Sequence, residues 1–401
     1  MDLRSHYPYG LLRHGIIKSY PSLDRDIRTE VTIMGAGISG ALVAYELCKA
    51  GFQVTVVDRR HVGMGSTAAS TSLLQYEIDI PLHELAVKIG MKKAVRSYQL
   101  CREAIYKLWR MCEDIDSLDC FAIKPSFQFA SSKKDLAGLK KEFLLREKIG
   151  FDVKWFSEAG LHRSYGFVKP GGILSADGAE ADAYLLTHRL LESCTELGGK
   201  VYDHTEIIAI NHSGKNISLK TKNNRRVRTR YLVIACGYES QRYLPKKVQA
   251  FHSTFAIVSE PFSHRRQWYK DSLIWETAYP YLYLRTTNDH RIMIGGKDDP
   301  SADPVKRDRL IPAKARALEN AFKKLFPQID FRTDFKWAGV FSNSKDALPL
   351  IGSIPGQPNI YYTVGFGGNG TTCSIIAAEI IRDLLTQRKN RDTEIFSFER
   401  L

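Results

Sequence analysis

Val31-Thr32-Ile33-Met34-Gly35-Ala36-Gly37-Ile38-Ser39-Gly40 decides the fold. A short apolar run enters G-x-G-x-x-G, and an apolar-periodic segment continues to Lys49. Val54-Thr55-Val56-Val57 follows and ends in Asp58, with Arg59 beside it. The order is strand, tight turn, helix, strand, acid. Gly35 permits the sharp turn, Gly37 lets a pyrophosphate approach the backbone, and Gly40 lets helix and strand pack closely; Ala36, Ile38 and Ser39 complete the loop. The helix N-terminus offers free N–H groups and a positive dipole end to phosphates. Asp58, about 20 residues on, is placed to accept hydrogen bonds from an adenosine ribose. A carboxylate there disfavours a 2′-phosphate, so NADP is not expected. The motif leaves FAD and NAD both open.

The chain has 401 residues, long enough for two domains, and is 44% hydrophobic and 25% charged. No run reaches the roughly 18 apolar residues that span a bilayer. Residues 1–30 are polar and lack the apolar core of a signal peptide, so a cytoplasmic location is expected. The seven cysteines are scattered without C-x-x-C; Cys48 and Cys236 read as buried small hydrophobes. His83 and His162 stand alone, and no metal site is expected. The formal charge is +14, with clusters at Arg225-Arg226-Val227-Arg228-Thr229-Arg230, Lys246-Lys247 and Arg265-Arg266. Such charge can attract nucleic acid, an acidic partner or an anionic membrane. The alternation after the turn Lys222-Asn223-Asn224 favours a solvated hairpin instead.

Outward from the motif, 1–30 reads as an arm. Residues 83–112 and 134–148 read as amphipathic helices, Phe127–Ala130 as a strand and Ala181–Leu197 as a helix. Thr205–Ile210 reads as a strand and about 216–230 as a hairpin. The hairpin returns to Tyr231-Leu232-Val233-Ile234-Ala235-Cys236-Gly237, which reads as a buried parallel-strand pattern closed by glycine. Residues 250–300 are strand-rich and end in the turn cluster Asp298-Asp299-Pro300-Ser301; a helix is expected at about 312–325. The expected class is α/β. A discontinuous Rossmann-like cofactor domain (1–90, 165–245, 335–401) is crossed by an α+β substrate domain with a mixed or antiparallel sheet (91–164, 246–334).

Two further loops bear on chemistry. Gly65-Ser66-Thr67 can wrap a pyrophosphate or a ring edge. Gly365-Phe366-Gly367-Gly368-Asn369-Gly370 again leads from a strand into a helix, opened by Thr371 and Thr372. Its positive end suits negative charge on a reduced flavin. Two glycine-cradled helix starts favour a long cofactor, FAD, over NAD.

Together with Ser70–Gln75, Ala235-Cys236-Gly237 and Asp346-Ala347-Leu348-Pro349-Leu350-Ile351-Gly352, these motifs resemble the D-amino-acid-oxidase-like superfamily of FAD-dependent amine and amino-acid oxidoreductases. The resemblance spans nearly the whole chain. It implies extended FAD, with Gly35, Gly37 and Gly40 at the pyrophosphate, Asp58 on the ribose, and Ser66 and Thr67 along the phosphates. It places Ser72, Leu73, Leu74 and Gln75 near the isoalloxazine and Ile207 or Ile208 at the adenine. Gly367, Gly368, Asn369, Gly370 and Thr371 fall at the flavin pyrimidine edge, with Ala235, Gly237 and Gly352 also on the cofactor.

There are departures. Members that bind an α-amino acid often carry Arg five residues before the Asp of Asp-x-x-Pro; here stands Phe341. Sarcosine-oxidase-like members attach FAD to a Cys near Gly339 and carry a Lys near Met293. Non-covalent FAD is therefore expected. The remaining substrate candidates are Tyr279, Tyr281, Tyr283 and Arg285, which share one face of a strand at period two. The tyrosines could box an amine and Arg285 could hold an anion. The expected activity is oxidation of a C–N bond in a small amine or amino-acid-like substrate, the electron acceptor being open. The alternatives are an RNA-directed, tRNA-modifying flavoprotein and a non-catalytic FAD-binding assembly protein.

Overall fold

The motif segment folds as strand Ile27–Met34, helix Ile38–Lys49 and strand Val54–Val57, in a computed structural model that describes residues 1–213, 216–264 and 267–400. The two strands run parallel, with Val31 opposite Val54 and Met34 opposite Val57. They belong to an eight-stranded sheet in the order Ile207–Ser213, Asn216–Thr221, Arg226–Ile234, Ile27–Met34, Val54–Val57 and Lys200–Tyr202. Ile360–Val364 also pairs with Arg226–Ile234, and Leu350–Gly352 pairs with Ile360–Val364.

The returning arm of the hairpin and the buried run that it leads into form one nine-residue strand, Arg226–Ile234. Its first half pairs with the hairpin, exposing Arg226, Arg228 and Arg230 and burying Val227 and Thr229. Its second half is buried between two parallel neighbours. The change of pattern is a change of neighbours within one strand. Arg265 and Arg266 lie outside the described residues.

A second eight-stranded sheet runs Thr333–Asn343, Ala250–Ser259, Ile292–Asp299, Tyr283–Thr286, Leu273–Glu276, Ser126–Phe129, Gly171–Ser175, Val153–Ser157. It is antiparallel except between Leu273–Glu276 and Ser126–Phe129, hence mixed. Helix Pro304–Leu325 packs on it, burying Leu318 and Phe322 against Phe255, Ile257, Ile292 and Ile294. This helix starts well before residue 312: Asp303 caps it by accepting the Lys306 N–H, and Pro304 occupies a first-turn position where no N–H is needed.

Strand membership places the crossings differently from the sequence boundaries. Gly171–Ser175 and Thr333–Asn343 belong to the second sheet. Helix Met91–Asp114 buries Ala94, Tyr98, Cys101 and Leu108 in the core of the first. Gly90, at φ +86°, separates that helix from Leu82–Ile89, which the pattern had merged with it. Among the described residues no helix is long and apolar enough to cross a membrane.

Candidate functional site

Two helix starts open onto one cavity. Helix Ile38–Lys49 begins at Gly37 and helix Gly370–Leu385 at Asn369; the hydroxyls of Ser39 and Ser374 meet at 2.7 Å where they pack. Gly35, Gly37, Ile38 and Ser39 line the cavity from the first helix, and Gly367 to Thr371 from the second.

The glycines are sterically required. Gly35 has φ +107°, and a Cβ there would lie 2.4 Å from the Ala235 carbonyl oxygen. A Cβ on Gly40 would lie 1.8 Å from the Gly35 carbonyl oxygen. Gly40 therefore serves the packing of turn on helix and does not reach the cavity wall. Ala36 does not reach it either: it is fully buried, and its N–H donates to Asp58 Oδ2 at 2.7 Å. Asp58 lines the cavity while its Oδ1 accepts the Arg60 N–H at 2.8 Å. Burial pushes its carboxyl above the usual range, and those two N–H groups oppose the rise.

Thr67 has a role that its sequence context did not show. Its Oγ1 accepts the Ile38 N–H at 3.0 Å, capping the helix from a distant loop, and it stands where a Cβ on Gly37 would lie 2.9 Å away. Ser66 Oγ is buried on the same wall with no hydrogen-bond partner among the described residues. Gly65, Ser72, Leu73, Leu74, Gln75, Ile207, Ala235 and Gly237 also line the cavity, as does Arg59. Ile208 points to solvent, the alternation having selected Ile207, and Gly352 lies on the short strand Leu350–Gly352 off the cavity.

Sequence reasoning missed Glu239. It is buried on the cavity wall and binds Arg59 Nη2 at 2.5 Å, Arg60 Nη1 at 3.0 Å and the Met1 amino group at 2.9 Å. Burial alone would raise its carboxyl, but these cations hold it below the usual range. Leu3 also reaches the wall, where its carbonyl accepts the Val340 N–H at 2.9 Å. Three side chains beside the Asp58 loop could hold a metal ion: His61, Asp203 and His204. In this structure they satisfy one another, each imidazole Nδ1 lying 2.9 Å from a carboxylate oxygen.

At the other end the walls come from the second sheet. Tyr281 and Tyr283 line the cavity with ring centroids 5.8 Å apart, joined by Thr254, Ala256, Asp298, Trp337, Gly339 and Phe341. Tyr238 faces them from the first sheet's side. The expected strand 279–285 is shorter, Tyr283–Thr286, and Tyr279 is 72% exposed away from the cavity. Arg285 shares a face with Tyr283 but does not line the cavity. Its guanidinium is buried under the Ser70–Ser72 loop, donating to Thr71 O at 2.7 Å and pairing with Glu180 at 3.1 Å. Lys124 shares Glu180 at 2.8 Å. The expected substrate anchor is thus part of a buried ion network. Met293 is buried and off the cavity, and Phe341 stands on its wall.

The family model for DAO, FAD dependent oxidoreductases, matches residues 30–384. The chain belongs to this family. Among the DAO relatives, the gamma-glutamylputrescine oxidoreductase of Escherichia coli (strain K12) is 25% identical over 387 residues, covering 91% of this chain and 85% of that protein. Glycine oxidase from Geobacillus kaustophilus superposes with a TM-score of 0.77 at 18% identity, covering 93% of this chain and 99% of that one. L-amino acid deaminase from Proteus vulgaris superposes with a TM-score of 0.78 at 15% identity, covering 96% and 100%. The DAO family makes FAD the cofactor, and the residues present fit it. The glycine cradle is kept clear of Cβ atoms, two helix starts face inward, and the Ser66 hydroxyl is buried without a partner.

Proposed function

We propose that this chain oxidises a C–N bond of a small amine or amino-acid-like substrate, using non-covalent FAD. FAD when bound supplies the hydride acceptor, the flavin N5. The observation that carries the reading is the cavity itself. A dinucleotide cradle from the first sheet opens directly onto an aromatic and polar chamber from the second.

In this reading Gly35, Gly37 and Ser39 lie against the pyrophosphate with Ser66, and Asp58 takes the ribose. Ile207 borders the adenine, Ser72–Gln75 border the ring, and Gly367–Thr371 take the pyrimidine edge. The N-terminus of Gly370–Leu385 favours negative charge there. Tyr281 and Tyr283 orient the substrate and exclude water from it. The cysteine on the cavity wall, Cys236, donates to Met34 O at 3.3 Å on the dinucleotide side, away from the chamber where a ring attachment would form. A division into a cofactor part and a substrate part belongs to the same reading. So does a cytoplasmic setting, which suits seven free thiols.

Acid precipitation of the purified protein tests the cofactor: FAD is expected in the supernatant, and colour in the pellet would refute non-covalent binding. Anaerobic addition of amines and amino acids tests the reaction, with bleaching of the flavin expected. A protein that carries FAD and is reduced by no amine or amino acid would refute it.

A further inference from the structure

The chamber carries a carboxylate that neither the sequence nor the family comparison singled out, and the strand is bent to present it. Ser253 pairs with Asp299 and Phe255 with Gly296, so Thr254 alone faces both Lys297 and Asp298. This is a β-bulge, with Lys297 at φ +58°. Before it, Ile292 and Ile294 pack into the core beneath helix Pro304–Leu325, while Met293 turns to the opposite face with Ala256 and Trp337. Strict alternation would send Asp298 to the helix side with Ile292 and Ile294, and Lys297 to the cavity side. The bulge reverses the two: Asp298 lines the cavity and Lys297 does not.

We infer that Asp298 is the specificity-determining residue of the chamber, and that it selects a cationic amine without a carboxylate next to the nitrogen. This rests on the amine-oxidising reading above and narrows its substrate.

The charges around the chamber support it. Among the described residues the cationic side chains on the cavity wall are Arg59, Arg60 and Arg242. All three lie beside Glu239 at the dinucleotide end, Arg242 at 3.8 Å from its carboxylate. Arg285 is held by Glu180 and Thr71. Lys314 also approaches Asp298, but its ammonium donates to the carbonyls of Lys297 and Asp298 at 2.6 and 3.3 Å, and it is off the wall. The remaining charge nearby is Asp79, behind Gly367 and Gly368. A substrate carboxylate in the chamber would meet Asp298 on the wall, with Asp79 behind it, and no cation. An ammonium would meet Asp298 on a wall shared with the rings of Tyr281 and Tyr283, and aromatic rings add to the attraction for a cation.

The holoenzyme tests this by flavin difference spectra, which need no turnover. Tetramethylammonium, which has no N–H proton to lose and no nitrogen lone pair to support oxidation, serves as the cationic probe and acetate as the anionic one. Tetramethylammonium should perturb the spectrum saturably and acetate should not. Asp298→Asn should weaken the cation at least tenfold at unchanged FAD content, and Asp298→Glu should retain binding. Equal affinity in Asp298→Asn, or a preference for acetate, would overturn the inference. If amino acids reduce the flavin while amines lacking a carboxylate do not, the parent reading stands and this inference falls. If neither class reduces it, the parent reading falls first.

Discussion

The Tyr281 hydroxyl donates to Asp79 Oδ1 at 3.0 Å, and the other oxygen of that carboxylate accepts the Gly368 N–H at 3.0 Å. One carboxylate thus joins the aromatic chamber to the glycine turn that starts helix Gly370–Leu385. Burial raises the Asp79 carboxyl, and these two donors oppose the rise. Tyr281→Phe removes one hydrogen bond, worth roughly 1–1.5 kcal/mol. Amide exchange across 366–370 should then quicken by about tenfold, at 1.4 kcal/mol per tenfold. Exchange at the wild-type rate would show that the turn holds itself.

Thr67→Val should destabilise the protein and weaken FAD together. The hydroxyl caps helix Ile38–Lys49, and such a cap is worth about 1 kcal/mol. Thr67→Ser keeps the oxygen and should behave as wild type. Urea unfolding of the apoprotein separates the two effects: a shifted midpoint at constant slope reports the cap, and FAD titration reports the cradle.

Asp58→Ala should lower both FAD affinity and melting temperature. The ribose contact is worth roughly 1.5–3 kcal/mol as a charge-assisted hydrogen bond. The Ala36 and Arg60 N–H groups would lose their acceptor as well. A variant that melts earlier yet binds FAD with unchanged affinity would make Asp58 a loop brace only.

Arg285→Ala should act on stability and not on specificity. Removing one member of a buried pair costs about 3 kcal/mol or more, and Lys124, which also pairs with Glu180, holds the loss near the lower end. The melting temperature should fall, while the substrate preference of the surviving holoenzyme should not change. Altered preference at unchanged stability would return Arg285 to the chamber.

These cases show where the sequence is legible. The Gly35–Gly40 turn is, because its chemistry is local: a bare backbone, a helix start and an acid at the next strand end. Arg285 is not. Period-two alternation puts it on the correct face, but its fate depends on Glu180, 105 residues earlier in the chain and brought beneath the Ser70–Ser72 loop by the fold. Thr67 reads as phosphate loop because a cap supplied from another segment leaves no local spacing. Asp298 reads as a turn residue beside Pro300, and a bulge inverts the alternation just where it would otherwise have been informative.

That bulge leads to a linked pair of outcomes for Asp298→Asn. Burial pushes the Asp298 carboxyl up to about 6, while the Thr254 hydroxyl and Lys314 pull it down and Asp79 pushes it further up. A carboxyl whose folded-state value is raised contributes stability that is present below its unfolded value and lost as pH rises through about 6. Ionised Asp298 is therefore a cost to the fold above pH 6, and a neutral asparagine removes it. Asp298→Asn should melt higher than wild type at pH 7.5, with the gain vanishing near pH 4. Cation binding should run the other way. In wild type the affinity for tetramethylammonium should rise as pH climbs through about 6, and in Asp298→Asn it should stay weak and flat. Tyr281 and Tyr283 share the wall with this carboxyl and Tyr279 feels its charge from outside the cavity, but burial raises all three hydroxyls above 10, so none titrates across this window. A variant that gains stability and keeps the pH-dependent cation site would move that site off Asp298. A variant that loses both would make the carboxylate a structural group.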